Sequence, residues 1–145
     1  MAIWQFRCNI IPEREITGVD FDEIISWIGV KEPLPFKYFP QKKSWSPNII
    51  QLGEIDGNCF EYIYVDEKLS EIVFRLDLRK PYNSILLKVI NYVRKIDAEF
   101  FFEGVVLPAN FEIVKSVIQK TKEYKYCKNP MIFIASLSQD QTQLK

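Results

Sequence analysis

Between residues 48 and 79, three runs of alternating apolar and polar residues are separated by only two short breaks, and this pattern constrains the fold more than any other in the chain. Runs of this kind hide one side of each strand when the strands lie side by side as an antiparallel meander. The first break is Asp56-Gly57, which suits a two-residue hairpin turn because both turn positions then need positive φ. A tight turn there sets Ile55 against Asn58, Gly53 against Phe60 and Gln51 against Tyr62. A second turn around Glu67-Lys68 sets Ile63 against Ile72 and Phe60 against Arg75. These pairings decide which side chains share a face, and a slip of one residue exchanges the faces.

With this register, one face carries Ile50, Leu52, Ile63, Ile72, Phe74, Leu76 and Leu78 and is expected beneath helices. The other face carries Ile49, Gln51, Gly53, Phe60, Tyr62, Tyr64, Glu71, Val73, Arg75 and Asp77. Glu61 breaks the pattern by falling on the apolar face, opposite Phe74. A bulge, an uncovered margin or a buried carboxyl would each account for it. Burial without a partner would be costly and would raise its pKa.

The flanking sequence supplies helices and further strands. Trp4 to Ile10 alternates as a strand that Pro12 halts. Asp20 and Glu23 have the spacing of a capping box, with Val19 and Ile24 placed as a hydrophobic staple. Phe21, Ile24, Ile25 and Ile28 line one side of that helix, and Gly29 stops it. From Tyr82 to Ile96, Leu86, Val89, Ile90, Val93 and Ile96 line one side, and Lys88, Asn91, Arg94 and Lys95 the other. Pro81 suits the start of this helix. Glu99 to Glu103 suits a short buried strand. Pro108 and Asn110 precede a third helix carrying Phe111, Val114, Val117 and Ile118. Asn129-Pro130 introduces a short fourth helix within residues 131–137, with Ile132, Phe133, Ser136 and Leu137 on one face, and a final strand through Met131-Ile132-Phe133-Ile134 is the alternative.

These elements predict an α+β domain, an antiparallel sheet with three to four helices mainly on one face. No linker-like stretch or internal repeat divides the 145 residues, so residues 1–138 are read as one domain and 139–145 as a disordered tail. Residues 30–47 form a long aromatic loop. Pro33, Pro35, Pro40 and Pro47 punctuate Phe36, Tyr38, Phe39 and Trp45. Its rings either close one edge of the core or present a binding surface.

The residue inventory excludes much catalytic chemistry. There is no histidine, which removes the commonest general base and every Ser-His or Cys-His pair. No GxGxxG, GxxxxGK[ST] or GxSxG motif occurs, nor the ligand spacing of an EF-hand. Cys8, Cys59 and Cys127 are odd in number and form no CxxC, so reduced thiols in a cytoplasmic protein are expected. Net charge is zero, without the basic excess that a general nucleic-acid binder needs. The charge is uneven, with acids concentrated between Glu54 and Asp77 and lysines between Lys115 and Lys128. The amino terminus has no signal-peptide pattern, and no apolar run is long enough to span a bilayer. The expectation is a protein that is not an enzyme, uses no cofactor or metal, and binds neither nucleic acid nor membrane.

Arg75, Asp77 and Arg79 alternate onto one strand face, beside Tyr62 and Tyr64. This is either a ladder of surface salt bridges or a docking patch, since Tyr and Arg dominate interface hot spots. A third possibility is that the aromatic loop folds over the patch. The candidate partner-binding residues are Trp45, Tyr62, Tyr64, Glu71, Arg75 and Asp77.

Three segments resemble the small immunity proteins of bacterial polymorphic toxin systems. They are Trp4-Gln5-Phe6 leading to Ile11-Pro12, the strand Arg75-Leu76-Asp77-Leu78-Arg79 running into a helix, and the close Tyr126-Cys127-Lys128-Asn129-Pro130-Met131-Ile132-Phe133-Ile134. The resemblance implies binding to a cognate toxin domain, with occlusion of its active site and no turnover. Inhibitors of nuclease toxins are often strongly acidic, which this chain is not, so a nuclease target is not specified. Two other readings of the residues stand beside this one. One is a small enzyme using a carboxylate and a tyrosine, with a deep pocket around Glu61 or another carboxylate. The other is a structural subunit whose aromatic face forms a homodimer.

Overall fold

The computed structural model describes residues 2–14 and 20–131. Strand β1 (Gln5–Pro12) takes in the proline that was expected to lie beyond its end. Helix α1 (Phe21–Ile25) begins as the sequence predicts, with Asp20 accepting the Glu23 N–H at 3.1 Å. It stops at Ser26, earlier than Gly29. Ser26 is extended (φ −76°, ψ 134°), and Trp27 swings into the core, donating its indole N–H to the Ile10 carbonyl at 2.7 Å. Val19 lies outside the described residues.

The remaining elements are β2 (Gln41–Lys42), β3 (Ile49–Gly53), β4 (Cys59–Val65), β5 (Lys68–Asp77), α2 (Asn83–Lys95), β6 (Ala98–Phe102), β7 (Val105–Leu107), α3 (Phe111–Gln119) and α4 (Lys122–Lys128). The strands form one antiparallel sheet in the order β2-β3-β4-β5-β1-β6-β7. Leu86, Val89, Ile90 and Val93 of α2 and Val114 and Ile118 of α3 pack with Phe6, Ile10, Phe60, Phe74 and Phe100 of the sheet. Tyr124 and Cys127 of α4 close the same core. Helix α1 lies against the opposite face, where Phe21 meets Phe101 with ring centroids 5.2 Å apart. The protein is thus α+β, with its helices mainly on one face. Helix α4 was not anticipated, because Tyr124, Cys127 and their neighbours show no long apolar stripe. Pro130 and Met131 are helical. The rest of the 131–137 segment and the 139–145 tail lie outside the described residues.

The meander forms as expected, but the register of its middle strand is corrected by one residue. Leu52 pairs with Phe60, Ile50 with Tyr62 and Gly53 with Cys59. Neither Asp56 nor Gly57 enters the left-handed region. They belong to a wider loop, in which Glu54 N–H donates to Asn58 O at 3.1 Å and Gly57 N–H to Glu54 O at 2.9 Å. The tight turns with positive φ at both positions are at Asp66-Glu67 (50° and 64°) and Glu103-Gly104 (48° and 80°). The second pairing slips as well, setting Phe60 against Phe74 and Tyr62 against Ile72, and β5 then bulges at Ser70. The Ser70 carbonyl accepts the Trp27 N–H at 2.8 Å.

The two slips compensate, so β3 and β5 keep their expected faces and only β4 turns over. Phe60, Tyr62 and Tyr64 point toward the helices, while Cys59, Glu61 and Ile63 point away. Gly53 sets the first slip. Its φ is 88°, and a Cβ there would stand 2.1 Å from the Asn58 carbonyl oxygen. Gly53→Ala is expected to cost about 2 kcal/mol, from the left-handed backbone and the displaced turn. A urea titration would read this as a lower midpoint at unchanged slope.

Candidate functional site

The sheet face turned away from α2 holds Glu71, Arg75 and Asp77, as expected, and adds Glu61. Glu61 is 2% exposed. Its Oε1 accepts the Arg75 Nε–H at 2.9 Å and its Oε2 the Trp45 indole N–H at 3.1 Å. The strand slip therefore turns the misfit carboxylate into half of an ion pair. Nearby, Asn9 donates to Glu71 at 2.8 Å. Gln5 donates to the carbonyls of Ile55 and Gly57 at 2.9 and 2.7 Å. Burial pushes the Asp77 carboxyl up, but hydrogen bonds from the Arg79 side chain and backbone outweigh it and hold the carboxyl below its usual range. Arg79 also lies over the Trp4 ring, 4.3 Å from its centroid. Among the described residues, no buried side-chain N or O lacks a partner. The acids and amides on this face are thus committed to internal contacts.

Tyr62 and Tyr64 are not on that face, which corrects their expected place in the patch. Tyr62 is 3% exposed and anchors the aromatic loop. Its hydroxyl accepts the Phe36 N–H at 3.0 Å and meets the Tyr92 hydroxyl at 2.7 Å, and Tyr92 donates to the Leu34 carbonyl at 2.7 Å. A directional relay thus runs from Phe36 N–H through two phenols to Leu34, spanning loop, sheet and α2. Burial pushes the Tyr62 hydroxyl up and the Tyr92 hydroxyl up to about 12. Tyr64 donates to Glu32 and is raised to about 12 by burial and by that carboxylate. The phenols stay protonated at neutral pH, so they act as fixed struts.

The loop divides its aromatics between core and surface. Phe36 and Phe39 enter the core, whereas Tyr38 and Trp45 are exposed. Between the loop and α2 lies an open groove of about 840 Å³, walled by Lys31, Leu34, Lys37 and Tyr38 on one side and Lys88, Asn91, Tyr92 and Lys95 on the other. Leu34 is 77% exposed. Lys37 and Lys88 sit 5.4 and 5.0 Å from the centroid of the Tyr38 ring. Pro12, Glu13 and Asp97 also line it. The sequence carried half of this signal, the polar stripe Lys88-Asn91-Lys95 on α2. It did not reveal that the loop folds against that stripe.

Cys8 and Cys59 are buried and Cys127 is half-buried, all as free thiols. Burial, then Glu61, pushes the Cys59 thiol up to about 12. Among the described residues, no group of three His, Cys, Asp or Glu could hold a metal, and no helix is long and apolar enough to cross a membrane. No family model, curated protein or solved structure matches the chain at a significant level.

Proposed function

We propose that this chain is a non-catalytic, immunity-type protein that binds a cognate bacterial toxin domain in the cytoplasm and blocks it by occlusion. The observation that carries this reading is the groove beside α2, whose exposed anchors Leu34 and Tyr38 stand on a loop already pinned by the Phe36–Tyr62–Tyr92–Leu34 relay. A surface fixed before the partner arrives loses less freedom on binding, which favours tight complexes. The segments at Trp4, Arg75 and Tyr126 that resemble immunity proteins point the same way. Against the enzyme alternative, Glu61 is held by Arg75 and Trp45, and Glu71 receives the Asn9 amide. Neither is poised to accept a substrate proton.

Co-expression with a toxin domain encoded beside this chain is expected to restore growth, and the purified pair to run as one complex on sizing. Continued toxicity despite soluble expression of both chains would end this reading. Elution of the isolated chain as a concentration-dependent dimer through the same surface would favour the structural-subunit alternative.

A further inference from the structure

We infer that the groove between residues 30–38 and α2 takes an acidic segment of the protein partner, seating an apolar or aromatic side chain against Leu34 and Tyr38 and carboxylates along Lys88 and Lys95. The inference rests on the reading of the chain as a toxin-binding protein. It goes further by naming the chemistry that the partner must present.

Helix α2 carries Lys88, Arg94 and Lys95 and no carboxylate. Lys31, Lys37, Lys88 and Lys95 all line the groove, and none forms an ion pair among the described residues. Three acids line it as well: Glu32, which accepts the Tyr64 hydroxyl, and Glu13 and Asp97, joined by the Glu13 N–H on the Asp97 carbonyl at 3.0 Å. Four lysines against three carboxylates leave the lining net positive, and the excess is clearest at Tyr38, where the Lys37 and Lys88 ammoniums stand 5.4 and 5.0 Å from the ring centroid.

Spacing then selects the kind of anion. Lys88 and Lys95 are seven residues apart, which sets them about 10 Å apart along the helix. Charges strung along a groove match several carboxylates on one chain better than a single compact anion, around which cationic groups would converge. Lysine ammoniums are flexible point charges that suit separate carboxylates. The exposed Leu34 side chain and Tyr38 ring on the facing wall offer an apolar seat, and an aromatic anchor flanked by charge is the usual layout of an interface hot spot.

The test uses the full chain and a fluorescein-labelled copolymer of glutamate and tyrosine, followed by fluorescence anisotropy at low and raised salt. A copolymer of lysine and tyrosine and a single-stranded DNA serve as comparisons. The acidic copolymer is expected to bind and to weaken as salt rises. The double variant Lys88→Glu with Lys95→Glu is expected to lose about tenfold or more in affinity, while Lys122→Glu on α4 changes nothing. All three positions are exposed, so the variants should fold as the parent does. Equal binding by the double variant, or tighter binding of the DNA or of the basic copolymer, would overturn the inference. Toxin rescue by the parent with undiminished rescue and affinity in the double variant would overturn the groove alone. A parent that binds the acidic copolymer through these lysines but fails to rescue would support the groove and remove the toxin-binding reading.

Discussion

Arg75→Ala is expected to destabilise the protein by about 3 kcal/mol, the lower end of what breaking a buried ion pair usually costs. Glu61 is 2% exposed and Arg75 14%, so truncating the arginine strands a carboxylate that water cannot readily reach. The indole N–H of Trp45 remains on the other oxygen, but a neutral donor does not balance a charge. Arg7 of β1 pairs directly with Arg75 of β5, so one cation remains on the neighbouring strand and the lower end is expected. The double variant Glu61→Leu with Arg75→Leu is expected to recover most of the stability, because it leaves no orphaned charge on the sheet. Urea denaturation of the parent, the single and the double variants would measure both effects. A single variant as stable as the parent would mean that Glu61 reaches solvent and that the pair is a surface contact. On the expected sheet face, Arg75 was a candidate docking residue whose loss should have spared the fold. The ion pair reverses that expectation.

The sequence made the sheet legible because alternation is a local property. Ile72, Phe74 and Leu76 of β5 and Leu52 of β3 lie on the face predicted for them. Each strand's alternation shows which residues share a side, but only the turns show how neighbouring strands are phased. Asp56-Gly57 carries a strong turn preference, yet the wider loop wins because Gly53 gains a bond to the Pro40 carbonyl at 2.8 Å through its own N–H. That contact comes from the distant aromatic loop, so nothing within the hairpin announces it. Glu61 was the trace of the error that the sequence did contain. The carboxyl is buried, as one of the three readings had it, but on the opposite face, where the turned strand gives it Arg75 as a partner. Helix starts were legible for the same local reason, since Asp20 and Asn110 each accept the N–H three residues on. The groove was not legible, because Leu34 and Lys88 meet only through the packing of loop against helix.

Phe36→Ala is expected to cost about 3–5 kcal/mol and to abolish binding at the groove, two effects that the structure joins in one ring. Phe36 is 1% exposed and touches Tyr38, Phe39, Phe60 and Tyr92, with centroids 5.5, 4.7, 4.8 and 5.3 Å away. Its removal opens a cavity at the junction of loop, sheet and α2, where each neighbour is itself held by others and collapse is restricted. The backbone N–H of Phe36 is also one end of the phenol relay, so a loop that shifts to fill the cavity gives up that bond as well. Tyr38→Ala separates the two consequences. Its ring is 54% exposed, so stability should change by no more than about 0.5 kcal/mol, while the acidic copolymer should lose its apolar seat. Thermal unfolding and anisotropy on the two variants would read stability and binding independently. If Tyr38→Ala binds as the parent does while Phe36→Ala does not, then Phe36 acts by holding the rest of the loop, and the aromatic seat must be assigned to Leu34 and Tyr92 instead.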